Sequence, residues 1–80
     1  MAHKVIKIID GDTLDVSPKW RFKGKTGNRV RLSGINAPEI GKPGASAAKE
    51  RLKKRFMGKS VKLDGKALSY GRLVAKVTLA

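Results

Sequence analysis

Three short stretches of this 80-residue chain carry side chains able to do metal or phosphate chemistry. The first is Asp10-Gly11-Asp12-Thr13. It is either a hairpin turn with solvated aspartates or a tight turn that fixes carboxylate oxygens at a strand start, where a hard cation can use them. The second is Val30-Arg31-Leu32-Ser33-Gly34-Ile35-Asn36-Ala37-Pro38-Glu39. Arg31 alternates with Val30 and Leu32, so it need not enter the core; it is an exposed arginine or a planar fork for phosphate. Asn36 can nucleate a turn or lend its carbonyl oxygen to calcium. Glu39, behind the stiff Pro38, is plain loop charge or a carboxylate held ready to orient water. The third is Tyr70-Gly71-Arg72. Its tyrosine is barrel packing or a stacking surface for a base, and its arginine is one more surface cation or a phosphate ligand.

Nineteen lysines and arginines face six acids, a net charge of +13. A field of that sign and size draws polyanions, either nucleic acid or an anionic membrane surface. Three of the six acids, Asp10, Asp12 and Asp15, fall in one turn and the strand after it. A basic protein that gathers acids in one place is neutralising its own cations there or holding a metal. There is no cysteine, so neither a disulfide nor a thiolate metal site is available. No apolar run approaches the roughly 20 residues needed to span a bilayer. The start lacks the continuous apolar core of a signal peptide, which leaves the compartment open between secreted and cytoplasmic. His3 reads as a tail residue rather than a ligand.

The elements that must position these groups follow from periodicity. Residues 4–9 read as a short buried strand. Over 13–22, Leu14, Val16, Trp20 and Phe22 share one face, and Pro18 makes that strand an edge, bent, or two pieces. Residues 29–35 alternate again, with Val30 and Leu32 on one face and Arg29, Arg31 and Ser33 on the other. The stretch 45–57 is the one helix, with the apolar stripe Ala45, Ala48, Leu52 and Phe56. Residues 60–64 form a strand with Val61 and Leu63 inward. After a loop, Leu73, Ala75, Val77 and Leu79 mark a last strand. The whole chain, 1–80, is one domain. Its expected fold is mainly β with one helix: a five-stranded antiparallel OB-fold barrel, with the helix between the third and fourth strands.

Taken in this order, the Asp10-to-Thr13 turn, the Arg31-to-Glu39 segment and Tyr70-Gly71-Arg72 resemble the three motifs of the staphylococcal nuclease (thermonuclease-like) family. The resemblance covers nearly the whole chain, and the combination is specific where each motif alone is not. It implies that Asp12 matches a calcium-ligand aspartate and that the Ala37 carbonyl completes the metal shell. Asn36 stands at the second ligand position, with Asp10 and Thr13 as supporting residues. It further implies that Arg31 and Arg72 bind phosphate, that Glu39 is the general base or water-orienting group, and that Tyr70 lines the nucleotide pocket. The implied cofactor is Ca2+, and the implied reaction is hydrolysis of DNA and RNA phosphodiesters to 3′-phosphates.

Two features depart from the family pattern. Asn36 replaces an aspartate, removing one negative charge from a site for a divalent ion. Unit charges about 4 Å apart interact by ~4 kcal/mol at an effective dielectric near 20, before desolvation, so weaker calcium binding is expected. The chain stops at Ala80, where family members usually continue into two further helices; an uncovered barrel flank and a last-strand edge are then expected to favour self-association. The leading expectation is a calcium-dependent nuclease of low sequence specificity, with single-stranded DNA or RNA as partner and no membrane. The alternative is a catalytically weak or inactive OB-fold module that binds nucleic acid. A basic membrane-surface or ribosome-type scaffold explains the charge but not the clustered acids.

Overall fold

Alternation of apolar and polar side chains becomes alternation of inside and outside wherever a strand lines a closed sheet. In the computed structural model, which describes residues 2–35 and 41–80, five strands do this. They are β1 (His3–Asp10), β2 (Thr13–Phe22), β3 (Lys25–Leu32), β4 (Ser60–Ser69) and β5 (Arg72–Leu79), with helix α1 (Ala45–Phe56) between β3 and β4. The strands close into a barrel in the order β1-β2-β3-β5-β4. Its interior is filled by Val5, Ile8, Leu14, Val16, Trp20, Val30, Leu32, Val61, Leu73, Ala75 and Val77. On β2, β3 and β5 the inward residues follow period-two alternation, except that Leu79 at the end of β5 is exposed; on β1 a register shift between Val5 and Lys7 turns Val5 and Ile8, three apart, inward.

One pairing departs from the antiparallel expectation: β3 and β5 run parallel, with Val30, Arg31 and Leu32 opposite Leu73, Val74 and Ala75. The reason is topological. Around a closed ring of five strands, direction cannot alternate at every step, so one neighbouring pair must be parallel. The break predicted around Pro18 is present, since the β2–β3 register shifts between Asp15 and Trp20.

Other expectations are corrected. The loop after residue 64 is strand: β4 continues to Ser69, with its irregularity confined to the interval between Gly65 and Ala67. His3 is not a tail residue. It opens β1, pairs with Val61 of β4, and sets its Nδ1 2.8 Å from the Pro18 carbonyl oxygen. The last strand is not a bare edge, because β5 lies between β3 and β4.

Helix α1 begins after Gly44, whose φ of 85° is a left-handed value suited to glycine. It buries Ala48, Leu52 and Phe56, three of the four residues of the expected stripe. Lys53, Lys54 and Arg55 fill its last turn, where positive charge complements the helix dipole. The Met57 N–H donates to the Lys53 carbonyl and the Gly58 N–H to the Val5 carbonyl (both 3.0 Å), stitching the helix end to β1. No helix among the described residues is long and apolar enough to cross a membrane.

Candidate nucleic-acid and phosphate site

The β1–β2 turn is closed by the Asp10↔Thr13 pair, with Gly11 and Asp12 at its tip. The Asp12 N–H donates to Asp10 Oδ1 (3.1 Å), and the Thr13 hydroxyl donates to Asp12 Oδ1 (2.9 Å). Thr13 is only 2% exposed, so this bond also satisfies a buried hydroxyl while it orients Asp12. Burial and, after it, the adjoining Asp12 carboxyl hold the Asp10 carboxyl above its ordinary pKa. The Asp12 carbonyl accepts from the Leu32 N–H at 2.7 Å, which clamps the turn against the end of β3. That clamp sets Asp12 Oδ2 3.4 Å from Arg31 Nη2. Asp10, Asp12, Thr13 and Arg31 thus form one cluster at a barrel rim.

The donor set there is oxygen only, which suits a hard cation such as calcium or magnesium and not a thiolate- or imidazole-seeking metal. Among the described residues, no three acidic, histidine or cysteine side chains converge on a metal position. Asn36, Ala37 and Glu39 lie outside the described residues, so the rest of the expected shell and the expected base do too.

Tyr70 and Arg72 come together elsewhere on the same wall. Ser69 pairs with Arg72, and Tyr70-Gly71 forms the two-residue connection with φ of 51° and 75°. Two positive φ values suit a tight hairpin, but asparagine or aspartate is the usual first residue. A tyrosine there has an unfavourable backbone, and at 96% exposure it packs against nothing that would offset it. Tyr70 thus presents an outward aromatic face that packing within the barrel does not explain.

Strand alternation sets Arg29 and Arg31 on the outside of β3, since Val30 between them is buried; Arg72 and Val74 are likewise outside on β5. Parallel pairing of the two strands lays these outer residues side by side. The result is an open cleft of about 410 Å³ lined by Asp15, Asn28, Arg29, Tyr70, Gly71 and Arg72. Arg29 faces Asp15 directly across the β2–β3 ladder, with Nε 3.1 Å from Oδ1. That carboxylate raises the Arg29 pKa further above its ordinary value. Asp15, Asn28 and Arg29 were not among the sequence-predicted site residues. The available signal was that Arg29 shares a face with Arg31; its proximity to Arg72 depends on the β3–β5 pairing.

The fold and this wall define a class: an OB-type barrel that presents arginines, an exposed aromatic and a carboxylate turn on one outer surface. Comparison with known proteins narrows it. The Staphylococcal nuclease homologue family profile matches residues 29–80. Over 75 residues, the chain is 36% identical to a micrococcal nuclease of Shigella flexneri, a match that takes in 92% of this chain and 40% of that protein. The chain belongs to the staphylococcal nuclease family. It spans about two fifths of the length of the relative it matches.

Proposed function

We propose that the protein is a calcium-dependent nuclease that hydrolyses phosphodiester bonds in single-stranded DNA and RNA with little regard for sequence. The observation that carries this reading is the placing of Arg31, beside Asp12, and of Arg72 on the outer face of the parallel β3–β5 pair, with the Leu32–Asp12 clamp holding the carboxylate turn against it. Arg31 and Arg72 bind the phosphate and stabilise charge that grows on its oxygens as water attacks. Glu39 orients that water and accepts its proton. Asp12, Asn36 and the Ala37 carbonyl are the residues to hold the metal, with Asp10 and Thr13 orienting Asp12. When bound, calcium supplies Lewis-acid polarisation of a phosphate oxygen. Tyr70 offers its ring to a base. The family and the nuclease name of the Shigella flexneri relative support the reaction class.

A second reading, a barrel that binds nucleic acid without cutting it, draws on Asn36 and on the Asp12–Arg31 ion pair, through which a metal-type carboxylate and a phosphate-type arginine engage each other. Digestion of single-stranded DNA and RNA at millimolar calcium, with and without chelator, separates the two. Cleavage that chelator abolishes is the expected result. Oligonucleotide binding without any cleavage moves the protein to the second reading.

A further inference from the structure

We infer that the cleft beside Tyr70 is a subsite for the phosphate of a nucleotide next to the one cleaved, and that Arg29, aligned by Asp15, is the residue that takes that phosphate. The inference rests on the nucleic-acid reading above and adds a binding residue to it.

Arg29 is held in a way that favours an acceptor in the cleft. Its Nε and Nη2 approach Asp15 Oδ1 and Oδ2 at 3.1 and 3.5 Å, a side-on grip that does not engage Nη1. The Arg29 side chain is nevertheless 47% exposed. Its backbone is fixed as well, because the buried Trp20 indole N–H donates to the Arg29 carbonyl at 2.8 Å. An arginine tied at both carbonyl and side chain loses little further freedom on binding.

The charge of the cleft also calls for an anion. Arg29 and Arg72 line it together, and among the described residues Asp15 is the one acid in the lining. Two like charges sharing one concavity repel, and a bound phosphate offsets that repulsion. The ligand is a polynucleotide phosphate rather than a free anion because of spacing. Arg29 lies two residues from Arg31 on the same face, roughly 6.6 Å along the strand. One nucleotide step of an extended strand covers such a separation. The Tyr70 ring stands at the same cleft for the attached base.

The test compares single-stranded DNA of two and of four nucleotides, with the parent protein, R29A, R29K and D15N. R29A is expected to raise KM for the tetranucleotide about tenfold more than for the dinucleotide, the loss of about one charge-assisted hydrogen bond. The kcat on either length should move far less. R29K should recover part of the effect, since lysine keeps the charge but not the fork. D15N should fall between, as Arg29 loses its alignment. In calcium-free anisotropy titrations, the R29A salt slope should be shallower by about 0.7, one phosphate contact on a single strand. An equal KM change on both lengths, or an unchanged KM and salt slope, overturns the subsite. A parent protein that cleaves nothing refutes the nuclease reading instead, and the salt slope then decides the subsite by itself.

Discussion

At the scale of single residues, the wall separates groups that fold the protein from groups that folding does not explain. Thr13 is buried and bonded to Asp12, and Trp20 is buried and bonded to the Arg29 carbonyl. Tyr70 instead projects fully exposed from the β4–β5 hairpin, and Arg72 follows it on the outer face of β5. Replacing Arg72 by alanine is therefore expected to lower turnover by roughly 100- to 1000-fold, the usual loss when one transition-state donor is removed. The far-UV circular dichroism of that variant should match the parent's. A variant that unfolds marks Arg72 as structural. Asn36→Asp restores a negative charge to the proposed metal shell and should tighten calcium binding from the range of about 0.1–1 mM typical of weak sites. Calorimetric titration giving equal or poorer affinity counts against a metal role at position 36.

At the scale of elements, the barrel holds its aromatics against glycines. A Cβ on Gly27 falls 2.8 Å from the Trp20 ring, and one on Gly65 falls 2.8 Å from the Phe22 ring. Ring and backbone approach too closely for any side chain between them. Gly27→Ala and Gly65→Ala should each destabilise by about 1–3 kcal/mol through overpacking. At about 4–8 °C per kcal/mol for a chain of this size, thermal unfolding resolves either change. Gly27→Ala carries a further consequence. Displacing Trp20 loosens its bond to the Arg29 carbonyl, so oligonucleotide affinity should fall along with stability; affinity that holds while the melting temperature drops shows that Arg29 is positioned without Trp20. The helix is attached by Ala48, Leu52 and Phe56. Leu52→Ala should cost about 2–5 kcal/mol, read by denaturant titration.

At the scale of the whole molecule, a charge of +13 on 80 residues governs binding before any specific contact forms. Affinity for single strands should fall steeply with salt, each neutralised phosphate adding about −0.7 to the log–log slope, and should vary little with base sequence. Salt-independent affinity is incompatible with this account. Calcium and nucleotide together should raise the melting temperature by mass action on the folded state. A melting temperature indifferent to both, in scanning calorimetry, means that neither has a site. Exposed apolar side chains are spread over the surface, with Ile6 and Met57 meeting in a groove between β1 and α1 and Leu79 on β5. Sedimentation at two concentrations decides whether any of these surfaces joins copies of the chain.

The inward positions of β2 and β3, those of β5 up to Val77, the helix with most of its buried stripe, and the cationic character of the molecule were legible in the sequence, because each follows from local periodicity or from composition; the burial of Val5 with Ile8, three apart on β1, and the exposure of Leu79 were not. The carboxylate turn and the two hairpin-borne residues Tyr70 and Arg72 could be picked out for the same reason: their chemistry lies in short contiguous motifs. The extent of β4 past Gly65 was not legible, since glycine weakens the local strand signal and it is the Phe22 ring and the pairing with β5 that hold the segment extended. Nor was the role of His3, whose partners are 15 residues away at Pro18 and on the neighbouring strand β4 at Val61. Above all, tertiary structure alone decided that β3 and β5 lie parallel, because that pairing is a condition of closing a five-stranded ring and not a property of either segment. From it follow the cleft and the presence of Arg29 and Arg72 together in its lining.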